Sequence, residues 1–136
     1  MFVSILRQGD LLIASIHAAL DDTELARFQD DLVRQIGVHR AHGIIIDVAA
    51  LDVLDSFASS ALRDLAQMAR LSGATTVIVG IRPDVAFAIV QLGMSLDIRT
   101  ALDLEEGLAY VESVTAGRRA GSSALAALRG ADTSSR

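Results

Sequence analysis

The stretch GIIIDVAALDVLDSFASSAL, residues 43–62, decides the fold. It opens on a continuous apolar run, GIIIDVA (43–49), rich in β-branched residues. A strand with one wet face would alternate apolar and polar residues. This run does not, so it predicts a strand buried on both faces, the signature of a parallel sheet. A short loop follows, and from Ser56 the pattern turns helical to residue 71. Ala58, Ala61, Leu62, Leu65, Met68 and Ala69 form its inward stripe, and Ser72-Gly73 stops it. A buried strand, a short loop and an amphipathic helix make the first half of a βαβ unit.

The same unit repeats on the C-terminal side. TTVIVG (75–80) reads as a second buried strand. The loop GIRPD follows, with Pro83 suited to the first turn of a helix over 84–93, where Val85, Ile89 and Leu92 face inward. LDIRT (96–100) predicts a short edge strand, and residues 103–114 a last helix capped by Asp103. On the N-terminal side, FVSILR (2–7) and LLIASIH (11–17) are short apolar runs split by Gly9-Asp10, a hairpin signal. Asp21, Asp22 or Thr23 then caps a helix whose buried face is Leu25, Phe28, Leu32 and Ile36, opposite Arg27, Asp30, Asp31 and Arg34. The order β-β-α-β-α-β-α-β-α implies an α/β fold with a mixed, mostly parallel sheet and right-handed crossovers.

The 136 residues suffice for one domain. Residues 1–115 form that domain, and 116–136 read as a flexible Ala/Gly/Ser/Arg-rich tail with a short helix near 122–129. Hydrophobic residues are 51% of the chain but aromatics only 4%, so the core is aliphatic. There is no cysteine, which excludes disulfides and thiol chemistry and fits a cytoplasmic location. All twelve cationic residues are arginine, which excludes a P-loop lysine and Schiff-base catalysis. The net charge is −5, with an acidic body and a tail carrying Arg118, Arg119, Arg129 and Arg136. An acidic body argues against nucleic acid as a partner. The N-terminus lacks the form of a signal peptide, and no apolar run reaches the roughly 18 residues of a membrane span.

Conventional catalytic patterns are weak. His17, His39 and His42 have no cysteine or carboxylate at ligand spacing, so no metal site is expected. Asp47 closes a strand and the pair Asp21-Asp22 follows one, at the sheet edge where a phospho-receiver gathers carboxylates, but such a pocket needs a basic partner on a later strand. Only Arg82 is near that place, and helix capping accounts for the acids better. Ser56 lies between Asp55 and Phe57, which do not allow the sharp turn of a nucleophile elbow. No cofactor and no catalytic residue are therefore assigned. Ser56 reads either as the helix cap or, with Asp55 as cap, as an exposed residue of the first turn.

Residues 43–93, with Asp47 ending a strand, Asp55-Ser56 opening a helix and GIRP after the next strand, resemble a STAS domain, the fold of anti-sigma factor antagonists. The resemblance covers most of residues 3–114 and implies about five strands and about four helices. Sporulation-type antagonists of this family read Asp-Ser-Ser-Gly at the switch, whereas this chain reads Asp55-Ser56-Phe57-Ala58. That form is similar to the small stressosome proteins of the RsbS type. The resemblance implies a phosphorylated Ser56 and a partner-binding surface of Asp22, Asp52, Asp55, Phe57, Ser59 and Arg82. It also implies an RsbT-like switch kinase and RsbR-like STAS proteins as partners, with self-association. The alternative is a simple antagonist that binds an anti-sigma kinase as a monomer or dimer.

Overall fold

A computed structural model of the chain describes residues 2–91 and 98–117. Its elements run β1 (Val3–Gln8), β2 (Leu11–Ile16), α1 (Asp22–His39), β3 (Gly43–Asp47), α2 (Ser56–Leu71), β4 (Thr75–Val79), α3 (Pro83–Gln91) and β5 (Arg99–Ala101). A closing helix, α4, spans 104–117. The five strands form one sheet in the order β1-β2-β3-β4-β5. β1 and β2 are an antiparallel hairpin, and every later pairing is parallel.

This topology dictates where the helices lie. The strand order advances in one direction through the crossovers, and right-handed crossovers then put α1, α2 and α3 on one face. Their apolar stripes meet the sheet there: Phe28, Leu32 and Ile36 of α1, Leu62 and Leu65 of α2, and Val85 and Ile89 of α3. Ile44 and Ile46 of β3 point to that layer, whereas Ile45 points to the other, where it packs with Val77, Val79 and Val111 of α4. All three isoleucines are fully buried, as the unbroken apolar run requires. The core is aliphatic, with Phe28 its one aromatic among the described buried residues.

Each helix has a sequence reason for its start. Asp21 caps α1 and, with Glu24, closes a reciprocal capping box. Asp103 caps α4 by accepting the Glu106 N–H at 2.9 Å. α3 begins at Pro83 itself, with the Arg82 carbonyl taking the first helical bond. Several expected boundaries shift. β3 ends at Asp47 rather than Ala49, because Asp47 turns back on the chain, and β5 spans 99–101. Residues 96–97 of the expected strand and 92–93 of the expected helix lie outside the described residues. α4 extends through residues 116 and 117, which were expected to belong to the tail; the remainder of the tail and its expected helix lie outside the described residues.

α4 sits close on β3 because residue 43 has no side chain. A Cβ on Gly43 would lie 2.4 Å from Val111 Cγ1 and 3.0 Å from Leu11 Cδ1. Val111 cannot swing clear easily, since it is itself buried. Gly43→Ala is expected to destabilise the fold by about 1–3 kcal/mol through overpacking. Urea unfolding checks this as a lowered midpoint at unchanged slope.

Candidate functional site

The site lies at the carboxyl end of β3 and β4, where ligands and partners of open parallel sheets usually approach. Its frame is the loop of residues 48–55. Asp47 Oδ1 accepts the Ala49 N–H at 2.9 Å, and the Val48 N–H donates to the Val79 carbonyl at 3.1 Å. The Leu51 N–H donates to the Val48 carbonyl at 2.9 Å, closing a tight turn. Leu51 and Leu54 then bury their side chains in the main core, whereas Asp52 and Val53 between them stay exposed. The loop is thus pinned at two apolar points and presents what lies between and after them.

Gly80 completes the frame from the next strand. Its φ of +79° is in the region glycine tolerates, and a Cβ there would lie 2.9 Å from the Ala49 Cβ and 3.1 Å from Asp47 Oδ1. The β4–α3 loop can therefore press against the start of the 48–55 loop.

The cap of α2 decides what Ser56 does. Asp55 is the N-cap: its Oδ1 accepts the Ala58 N–H at 2.8 Å, and its carbonyl accepts the Ser59 N–H at 2.9 Å. Ser56 is consequently the first residue of the helix proper, and it is exposed. The two readings left open by the sequence resolve in favour of an aspartate cap and a presented serine. The first turn of α2 carries no acidic residue, in contrast to α1, which has Asp22 and Glu24 there. The Asp55 carboxylate thus meets the positive end of the α2 dipole with no first-turn acid beside it.

Around Ser56 the other expected residues divide. Phe57 is 49% exposed beside it. Asp52 is ion-paired with Arg82, which crosses from the β4–α3 loop, and Arg82 Nε also lies 3.7 Å from Asp84 Oδ1. Asp22 is exposed on the first turn of α1. The preceding β2–α1 loop is brought alongside: Ala19 and Leu20 share a small cleft with Val53, Leu54 and Asp55. Ser59 departs from expectation. It is only 4% exposed, because it lies on the buried stripe of α2, one turn before Leu62, so it does not belong to the accessible rim. Its Oγ has no hydrogen-bond partner.

The histidines do not converge on the serine. His17 Nε2 lies 2.8 Å from Ser4 Oγ across the hairpin, His39 is in the last turn of α1, and the His42 backbone pairs with Asp10 at the opposite end of the sheet. Among the described residues, no group of three potential metal ligands comes together. No helix among them is long and apolar enough to cross a membrane. What the arrangement offers is a hydroxyl held at a helix mouth within a surface of aspartates, one arginine and an exposed phenylalanine.

The sequence pattern of the STAS domain matches residues 3–107. The chain belongs to the STAS domain family. RsbT co-antagonist protein RsbRA of Bacillus subtilis (strain 168) is 33% identical over 89 residues, which are 64% of this chain and 32% of that protein. The chain spans about a third of that relative's length. Among solved structures, a serine-to-glutamate variant of RsbS from Moorella thermoacetica superposes with a TM-score of 0.72 at 32% identity, covering 83% of this chain and 97% of that one. A chain from the molecular architecture of the stressosome, a signal integration and transduction hub, superposes with a TM-score of 0.66 at 29% identity, covering 82% of this chain and 98% of that one. The expected five-stranded α/β STAS fold is therefore the observed one.

The capping assignment makes a direct stability prediction. Asp55→Ala is expected to cost about 0.5–2 kcal/mol, the range for losing an N-cap. Ser56→Ala is expected to stay within about 0.5 kcal/mol of wild type, as for an exposed residue without a structural bond. Urea midpoints measure both. A Ser56→Ala loss as large as that of Asp55→Ala would show that the serine is the cap.

Proposed function

We propose that this chain is a phosphorylation-switched protein-binding scaffold of a stressosome-type complex, one that sequesters a serine/threonine switch kinase until Ser56 is phosphorylated. The observation that carries this reading is the exposed Ser56 at the first position of α2, with capping already done by Asp55. The hydroxyl has no structural task there and is open to a kinase. The protein acts by binding and is the substrate of a separate enzyme.

The physics of the switch follows from the site. A phosphoryl group adds about −1.5 to −2 charges and three acceptor oxygens. The backbone N–H groups at the mouth of α2 other than the Ala58 N–H, which Asp55 holds, accommodate that charge together with the helix dipole. The fold therefore survives modification. A docked partner experiences something different. Asp52 and Asp55 already make the rim negative, and Arg82 is engaged by Asp52. If the partner presents acidic or desolvated groups within roughly 6 Å of the new charge, repulsion is on the order of 1–3 kcal/mol. That corresponds to roughly ten- to a hundred-fold in affinity.

Likeness to RsbRA and RsbS points to the partners: an RsbT-like switch kinase, RsbR-like STAS proteins, and further copies of the chain, in the cytoplasm. Apolar surface suited to assembly is present at Phe2 and Leu6 on the edge hairpin and at Phe87 and Val90 on α3, all more than half exposed.

Pull-down with an RsbT-like kinase tests the switch. Ser56→Ala is expected to retain the kinase under all conditions, and Ser56→Glu to bind it about ten- to a hundred-fold more weakly. Both variants binding like wild type would contradict the switch. Size-exclusion chromatography with an RsbR-like protein tests the scaffold role: a very large particle is expected, whereas a monomer or dimer would favour the simple antagonist.

A further inference from the structure

A pocket of about 230 Å³ opens at the amino end of β4. β5 pairs with β4 only from Val77 onward, so Thr75 and Thr76 extend past the start of β5 and leave the sheet edge open there. Three layers close on that opening. Arg70 comes from the last turn of α2, Arg99 from the first position of β5, and Tyr110 from α4. We propose that this pocket binds the phosphate group of a small phosphate monoester, held between the Arg70 and Arg99 guanidinium groups and against Thr76.

Charge is the first observation. The described residues, 2–91 and 98–117, hold eight arginines against fifteen Asp and Glu. Two of those arginines and none of the acids line the pocket. Neither Arg70 nor Arg99 forms a salt bridge among the described residues. Two cations at one opening of an acidic body attract an anion to it. Arg70 also meets the negative end of the α2 dipole, which accounts for its place on the helix but not for Arg99 at the same opening. Guanidinium forks match the several acceptor oxygens of a phosphate.

Preorganisation is the second. Arg99 Cζ lies 4.5 Å from the centre of the Tyr110 ring. Attraction to the ring face holds the guanidinium in place without neutralising it, so less freedom is lost when an anion binds. The third is an orphaned hydroxyl. Thr76 is 7% exposed and lines the pocket, and its Oγ1 has no hydrogen-bond partner. Buried hydroxyls are nearly always paired, and an ion in an adjoining space is an ordinary reason for an exception. The partner assigned to it is a ligand oxygen at the pocket wall, met by rotation about χ1. Ile98 and Val114 add apolar wall, which suits a ligand with an organic body. Arg70 is about 21 Å from Ser56 along α2 at the helical rise, and the inference does not rest on the role of that serine.

Backbone amide NMR of the full chain, titrated at constant ionic strength with inorganic phosphate and with phenyl phosphate, tests this. Saturable shifts at Thr75, Thr76, Arg99 and Tyr110 are expected, with phenyl phosphate the tighter of the two probes. Arg70→Gln and Arg99→Gln are each expected to weaken binding about tenfold or more, the scale of a charge-assisted hydrogen bond. Thr76→Val keeps the shape of the side chain and removes the hydroxyl. It is expected to weaken binding with an unchanged far-ultraviolet spectrum, which separates a lost ligand contact from a lost fold. Absence of saturable shifts with either probe would overturn the proposal. So would shifts centred on Ser56, Phe57 and Ala58 at the α2 mouth, or equal affinity in wild type and both arginine variants. Equal affinity for the two probes would overturn the assignment to an ester and leave free phosphate as the ligand.

Discussion

Both faces of β3 are sealed, and that constraint orders the rest of the molecule. Ile44 and Ile46 lie under α1 and α2, and Ile45 lies under α4. A strand with no wet face can exist only as the middle of a three-layer stack, so helices are required on both sides of it. The helices on one face come from the crossovers. The helix on the other comes from the chain after β5, and it fits because residue 43 presents no side chain to Val111. With β3 fixed in the centre, the loop leaving its carboxyl end emerges at the middle of the sheet edge. Ser56 is on that loop's far end for topological reasons, before any local chemistry is considered.

Local chemistry then assigns the tasks. A helix start needs an acceptor for its free N–H groups, and both Asp55 and Ser56 qualify by residue type. In the fold Asp55 takes this role, which leaves the serine exposed and the first turn of α2 without an acid. The same geometry that satisfies the backbone therefore leaves a modifiable hydroxyl where an added anion is favourably placed. Cap and presented group are adjacent residues with separate functions. Binding could change at this surface without cost to the core, because Leu51 and Leu54 anchor the loop independently of Ser56.

Much of this was legible in the sequence. The unbroken run of residues 43–49, the stripes of α1 and α2, and the Gly9-Asp10 turn define the elements and their order. Periodicity also identifies the buried faces, because burial and helical spacing are the same physical fact. The site was legible only in part. Which of two neighbouring caps is used depends on the backbone angle at the loop's exit, which residue type does not encode. The Asp52–Arg82 pair joins residues thirty positions apart, and nothing local signals it. Ser59 appeared in the expected binding surface by proximity in sequence, yet it lies on the buried stripe of α2 with Leu62 and Leu65. Gly80 reads as the end of a strand, and only the left-handed φ shows that it shapes the loop carrying the serine.

The account's central claim is that Ser56 is presented for modification while the architecture stays intact. Its most direct test is incubation of the chain with an RsbT-like kinase and ATP, followed by intact-mass measurement, peptide mapping and circular dichroism of the product. The account predicts one added phosphoryl group, located on Ser56 and not on the buried Ser59, with an unchanged far-ultraviolet spectrum. Modification at another residue, or loss of helical signal on modification, would contradict it.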